Sequence, residues 1–334
     1  MTMENYKLAW QNIVGHKNKI EHLKKMVAEQ KFPHAIIFSG SEGIGKRKVA
    51  ESCAAALLCS NSKDGEPCGV CENCRLVVGK SHPDFYVVEA AETKTTRTIK
   101  IGQIRELQTE TSLRPIKAAL RVVILDGAEF MNNPSANCLL KTLEEPPSQT
   151  IFILLTANRA GLLMTLRSRC VTLNFDNLTS EEIKFALLQR EISPAEAEKL
   201  SIISGGSLGR ALALAETGGY ELRESALNFV ERLCADEITN EDIFTKGIQI
   251  SSWSRNQFSE FVIYIQKILH DIYFAGKGEV YNSDLTERLN KIKISERKIY
   301  SMIEIGVKIH KRIKSNANLR LLAESYLMLL KKNI

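Results

Sequence analysis

Gly40-Ser41-Glu42-Gly43-Ile44-Gly45-Lys46 spells G-x-x-x-x-G-K, the spacing of a backbone loop that cradles phosphate. Glycines let amide N–H groups approach an anion closely, and a helix starting at the lysine adds positive potential. Lys46 then reaches the outer phosphates. The next position calls for Ser or Thr, whose hydroxyl would ligate Mg²⁺, and here it is Arg47. A guanidinium carries donors only and cannot ligate a cation. Farther on, Arg121-Val122-Val123-Ile124-Leu125-Asp126 reads as an apolar strand that ends in a metal-side carboxylate. Gly127 stands where a water-orienting carboxylate belongs, and Glu129, two residues on, is expected to face elsewhere. The departures at 47 and 127 together imply a site that does not hydrolyse. ATP or ADP held by the loop and Lys46, and an empty loop kept for packing, both fit these residues.

Cys59, Cys68, Cys71 and Cys74 follow C-x8-C-x2-C-x2-C. Tight C-x-x-C pairs let thiolates converge on zinc, and Gly65, Pro67 and Gly69 supply the turns. Four sulfurs close the coordination sphere, so the zinc expected here is structural. Cys53 is the rival fourth ligand, but it falls inside a predicted helix. Lys63, Asp64, Glu66, Glu72 and Arg75 leave the segment nearly neutral, which argues against strong attraction to nucleic acid. Cys138, Cys170 and Cys234 are dispersed and read as small packing residues.

These residues need a frame. Apolar runs at Ala35–Phe38, Phe85–Val88, Val122–Leu125, Ile151–Thr156 and Val171–Phe175 alternate with helical stretches. That alternation predicts an α/β domain with a parallel sheet covered on both faces, ending near residue 176. Thr179 and Glu182 form a T-x-x-E capping box that opens a small helical lid, 177–214. From 215 to 334 the chain reads as all-helical. Phe258, Phe261, Val262, Ile265, Ile268, Leu269 and Ile272 make one helical stripe, and Leu319, Leu322, Ala323, Tyr326, Leu329 and Leu330 another.

The 334 residues are 44% hydrophobic and 25% charged, with a net charge of +6. That balance permits a nucleic-acid partner without demanding one. No apolar run is long enough for a membrane span and no signal peptide opens MTMENYKLAW, so a cytoplasmic location is expected, with reduced cysteines.

Several segments together resemble the clamp-loader branch of the AAA+ ATPases. They are Ile13-Val14-Gly15, His82-Pro83-Asp84, the helix Ala136–Leu143 with Glu144-Glu145-Pro146-Pro147, Leu166-Arg167-Ser168-Arg169-Cys170, and Asn316-Ala317-Asn318-Leu319. The departures at Arg47 and Gly127, with Ser168-Arg169-Cys170 and the cysteine module (59–74) kept, are most similar to the delta-prime type of bacterial DNA polymerase III. The resemblance implies that Arg169 is an arginine finger for a neighbouring ATP site, worth about 10³–10⁵ in rate. It gives Arg210 as a sensor 2 arginine, or else as a surface charge at a helix start, and Asn158 as the sensor 1 residue. It implies a stator in a hetero-pentamer with gamma/tau ATPase and delta subunits, a sliding clamp and primed DNA, with residues 215–334 as a collar. No catalysis of its own is expected of such a chain, although its complex is a nucleotidyltransferase. The alternatives are an ATP-hydrolysing motor subunit, opposed by Arg47 and Gly127, and a zinc-dependent nucleic-acid-binding module.

Overall fold

The computed structural model describes residues 8–92, 97–147, 149–217, 219–274, 280–313 and 318–334. The chain forms two compact units, Met1–Arg210 and Ala211–Ile334. The first contains strands β1 (Ala35–Ser39), β2 (Phe85–Glu89), β3 (Ala91–Glu92), β4 (Arg97–Thr98), β5 (Arg121–Asp126), β6 (Thr150–Thr156) and β7 (Val171–Asn174). Its helices are α1 (Lys17–Ala28), α2 (Lys46–Leu58), α3 (Glu72–Val78), α4 (Ile101–Ser112), α5 (Asn133–Glu144), α6 (Met164–Arg167), α7 (Ser180–Leu188) and α8 (Pro194–Ile203). α9 (Leu208–Thr217) leads from one unit to the next.

Five strands make one parallel sheet in the order β2-β5-β6-β1-β7, while β3 and β4 pair antiparallel on their own. The five apolar runs of the sequence are those five strands. Side chains alternate across the sheet, so the runs serve two cores. Ile36, Phe38, Val122, Ile124, Ile153 and Leu155 pack with residues of α1 and α2. Ile37, Val123, Leu125, Phe152 and Leu154 pack with residues of α4 and α5. Burying each such side chain is worth about 1.5–3 kcal/mol, which is why central parallel strands read as unbroken apolar sequence.

The register fixes the functional edge. Glu89 lies beside Asp126, so β2 and β5 end together and present two carboxylates side by side. The box at the start of α7 forms as expected: the Glu182 N–H donates to Thr179 Oγ1 at 3.2 Å, and the Thr179 N–H donates to Glu182 Oε2 at 2.9 Å. Through Arg210 the lid segment belongs to the same compact unit as the sheet.

The second unit is helical among the described residues: α10 (Gly219–Cys234), α11 (Asn240–Ser251), α12 (Arg255–Phe274), α13 (Thr286–Leu289), α14 (Glu296–Ile313) and α15 (Leu319–Lys332). The α12 stripe is buried except for Ile272, which is half-buried. On α15, Leu329 turns out exposed and Leu327 is buried in its place beside Tyr326 and Leu330. Asn316 and Ala317 lie outside the described residues, and Asn318 caps α15 by accepting the Leu321 N–H at 3.2 Å. Among the described residues no helix is long and apolar enough to cross a membrane.

Candidate functional site

The loop between β1 and α2 borders a cavity of about 1580 Å³. Val14, Lys46, Arg47, Asp126, Glu129 and Arg190 are among the residues that line it. Gly45 precedes α2 with φ +102°, and Lys46 opens the helix. Gly43, at φ +76°, is required by a close approach: a Cβ there would meet Ser207 Oγ at 2.4 Å and Gly209 Cα at 3.2 Å. Two hydrogen bonds seal that contact, from Ser207 Oγ to the Glu42 carbonyl and from the Gly209 N–H to the Gly43 carbonyl, both 2.8 Å. Gly40, Gly43 and Gly45, all at positive φ, shape the loop between β1 and α2.

Lys46 is only 8% exposed. Its Nζ donates to the carbonyls of Gly40 and Ser41 at 2.6 Å each. Burial lowers its pKa against the opposing pull of Glu129, Asp126 and Glu42.

Arg47 is the hub of the site. Its Nε donates to Glu51 at 3.0 Å, Nη1 to Asp126 at 3.0 Å, and Nη2 to Glu89 at 2.5 Å. The carboxylates come from α2, β5 and β2, and the register of β2 and β5 sets two of them together. Burial disfavours the charge, but the hydrogen bonds to Glu51 and Glu89 outweigh it and raise the pKa above the usual arginine value. A divalent ion beside Lys46 needs oxygen ligands. The side chain present has none, and it already engages the Asp126 carboxylate. The residues do not fit Mg²⁺.

Gly127 takes φ +78°, and a Cβ there would lie 2.7 Å from the Phe130 ring. A water-orienting carboxylate at this position meets both strain and a clash. The same left-handed turn redirects the chain beyond it. Glu129, expected to face elsewhere, lines the cavity, and its Oε1 accepts the Ala157 N–H at 2.7 Å. Spacing alone does not give this contact, because it depends on the turn at Gly127 and the following short helix, Ala128–Phe130.

Asn158 holds a short turn, its Oδ1 accepting the Gly161 N–H at 3.2 Å. The half-buried Arg210 has its N–H on Ser207 Oγ at 3.2 Å, which puts its backbone next to the loop. Arg169 stands apart from the cavity, after α6. Its Nη2 pairs with Glu144 at 2.6 Å and its Nη1 donates to the Thr165 carbonyl at 3.1 Å.

The cysteine expectation converges in space. The Sγ atoms of Cys59, Cys68, Cys71 and Cys74 lie within 4.8 Å of one another, with Cys59–Cys71 at 3.9 Å and Cys68–Cys74 at 4.0 Å. A tetrahedral ion with sulfurs at about 2.3 Å needs S–S separations of about 3.8 Å, so the donor set fits a metal such as zinc. Cys53 is fully buried within α2 and is not in the group. Backbone N–H groups of Asn61, Cys68, Cys71 and Cys74 donate to cluster sulfurs at 3.3–3.4 Å. Burial opposes the Cys71 thiolate, but amide bonds from Cys74 and Ser60 bring its pKa down to about 6. The module is fastened to the sheet domain by Trp10 Nε1 on the Gly65 carbonyl at 3.0 Å and by Lys24–Glu66 at 2.8 Å.

A parallel sheet with a G-x-x-x-x-G-K loop after its first strand and an acidic strand end beside it has the architecture of the P-loop type. The family model described as DNA polymerase III, delta subunit, matches residues 15–179 of this chain. It is 36% identical over 208 residues to DNA polymerase III subunit delta-prime of Pseudomonas aeruginosa, covering 61% of this chain and 62% of the relative. It is 26% identical over 317 residues to subunit delta-prime of Bacillus subtilis, covering 93% of this chain and 94% of the relative. Subunit tau of Bacillus subtilis is 29% identical over 294 residues, 87% of this chain and 48% of that protein. The chain thus spans about three fifths of the Pseudomonas relative and about half of tau.

Proposed function

We propose that this protein is a delta-prime-type subunit of a bacterial clamp loader that does not hydrolyse ATP and assists hydrolysis on a neighbour. The observation that carries this reading is the Arg47 hub: the cation at the metal position is a side chain, and it holds Asp126. Gly127 in the left-handed region supports the same reading, because the water-orienting carboxylate is missing where the backbone resists one. Arg169, half-exposed and outside its own cavity, is suited to reach another subunit's ATP site as an arginine finger. Asp126, Lys46, the three loop glycines and Arg210 then form a site that holds ATP or ADP without turning it over.

The expected partners are gamma/tau ATPase subunits and a delta subunit in a hetero-pentamer that places a sliding clamp on primed DNA in the cytoplasm. Residues 215–334 serve as the oligomerising collar and 177–214 as the lid. The cysteine module binds structural zinc, supported by four convergent thiols that leave no open position.

The purified chain should show no ATP turnover with or without DNA, and DNA-stimulated hydrolysis by the lone chain would overturn the reading. Metal analysis of chelator-free protein should return about one zinc per chain.

A further inference from the structure

We infer that Arg47 is a built-in counterion, so that this phosphate loop takes a nucleotide polyphosphate without a divalent metal. The inference rests on the reading of the loop as a nucleotide site, and it adds how the phosphate charge is met there.

Three carboxylates from three elements converge on one guanidinium: Glu51 at 3.0 Å, Asp126 at 3.0 Å and Glu89 at 2.5 Å. A guanidinium has five N–H donors, and the three contacts use three different nitrogens. The cluster would be a like-charge assembly if position 47 were neutral. With Arg47 present, Asp126 is satisfied and cannot recruit a hydrated cation at low cost. Two N–H donors of Arg47 are not used by these contacts, and Arg47 lines the cavity together with Lys46. Phosphate oxygens entering there meet Lys46, the loop amides and Arg47, whose single positive charge occupies the position where a metal would otherwise bring two. Lys46 is free to serve them, because its present acceptors are only the loop's own carbonyls.

The test uses the full chain, wild type and Arg47→Ser, with magnesium or with EDTA. ATP affinity is measured by titration, and thermal stability is measured without nucleotide. Wild type should bind ATP with affinities that agree within about twofold in the two buffers, and magnesium alone should not move its melting temperature. Arg47→Ser uncovers the three carboxylates. Its melting temperature should rise with magnesium, and its ATP affinity should become at least about tenfold tighter in magnesium than in EDTA. Wild-type affinity that rises tenfold with magnesium overturns the inference, as does magnesium stabilisation of the wild type. If wild type binds no ATP in either buffer, the nucleotide reading falls. The melting data then still decide whether Arg47 occupies the metal position: stabilisation confined to Arg47→Ser shows that it does, and a wild-type shift shows that it does not. Should Arg47→Ser not fold, the two wild-type comparisons decide by themselves.

Discussion

Arg47 at the start of α2 and Arg169 after α6 are almost equally exposed, at 33% and 37% of the side chain, yet they are held very differently. Arg47 grips three carboxylates from α2, β2 and β5. Arg169 has one, Glu144, itself half-exposed. An exposed pair of that kind is worth about 0–1 kcal/mol, so Arg169 can exchange its partner for a phosphate at little cost. Releasing Arg47 leaves three like charges facing one another. Burial therefore does not separate a fixed arginine from a deliverable one. The number and origin of the partners do.

The contrast can be broken first at Arg169. Arg169→Ala should slow hydrolysis at the adjacent site of a reconstituted complex by about 10³–10⁵ while assembly, followed by gel filtration, is unchanged. An unaltered rate with intact assembly removes the finger role. The second target is the hub. Arg47→Ala should cost the chain about 1–3 kcal/mol in urea unfolding, since it removes one member of a partly buried network and leaves the rest uncompensated. Stability equal to wild type would mean that the three contacts do not act together. A third substitution tests how much of the C-terminal signature is structural. Asn318→Ala should lose about 1 kcal/mol through the α15 cap, even in the isolated chain. The smallest effect belongs to Glu144→Gln, which should change stability by less than about 1 kcal/mol and leave hydrolysis by the complex intact. A large loss of activity there would show that Glu144 positions Arg169.

Much of this was legible in the sequence. Parallel strands buried on both faces have to be apolar runs, so Ala35–Phe38, Val122–Leu125 and Ile151–Thr156 announced themselves. The phosphate loop and the four cysteines follow local rules of spacing, and local rules survive folding. The Arg47 hub was only partly readable. Glu51 lies four residues along the same helix and was available as a helical pair. Glu89 and Asp126 reach Arg47 through strand register across distant sequence, which no spacing encodes. The bond of Glu129 to the Ala157 N–H was not readable, because it depends on the left-handed residue and short helical turn after Asp126. On α15, the periodicity admitted Leu329 to the buried stripe, while packing chose Leu327.

The left-handed backbone at Gly127 bears on the history open to this protein. A single step toward hydrolysis at that residue places a side chain where φ is +78° and the Phe130 ring is 2.7 Å away. A single step at Arg47 uncovers three carboxylates, which then depend on a cation from solution. Each step gives up or strains a contact that now holds the site, and neither alone supplies both a metal-ligating hydroxyl at 47 and a carboxylate at 127. On the proposed reading, the neighbours of these two residues hold the chain in a supporting part, with or without selection against a second motor.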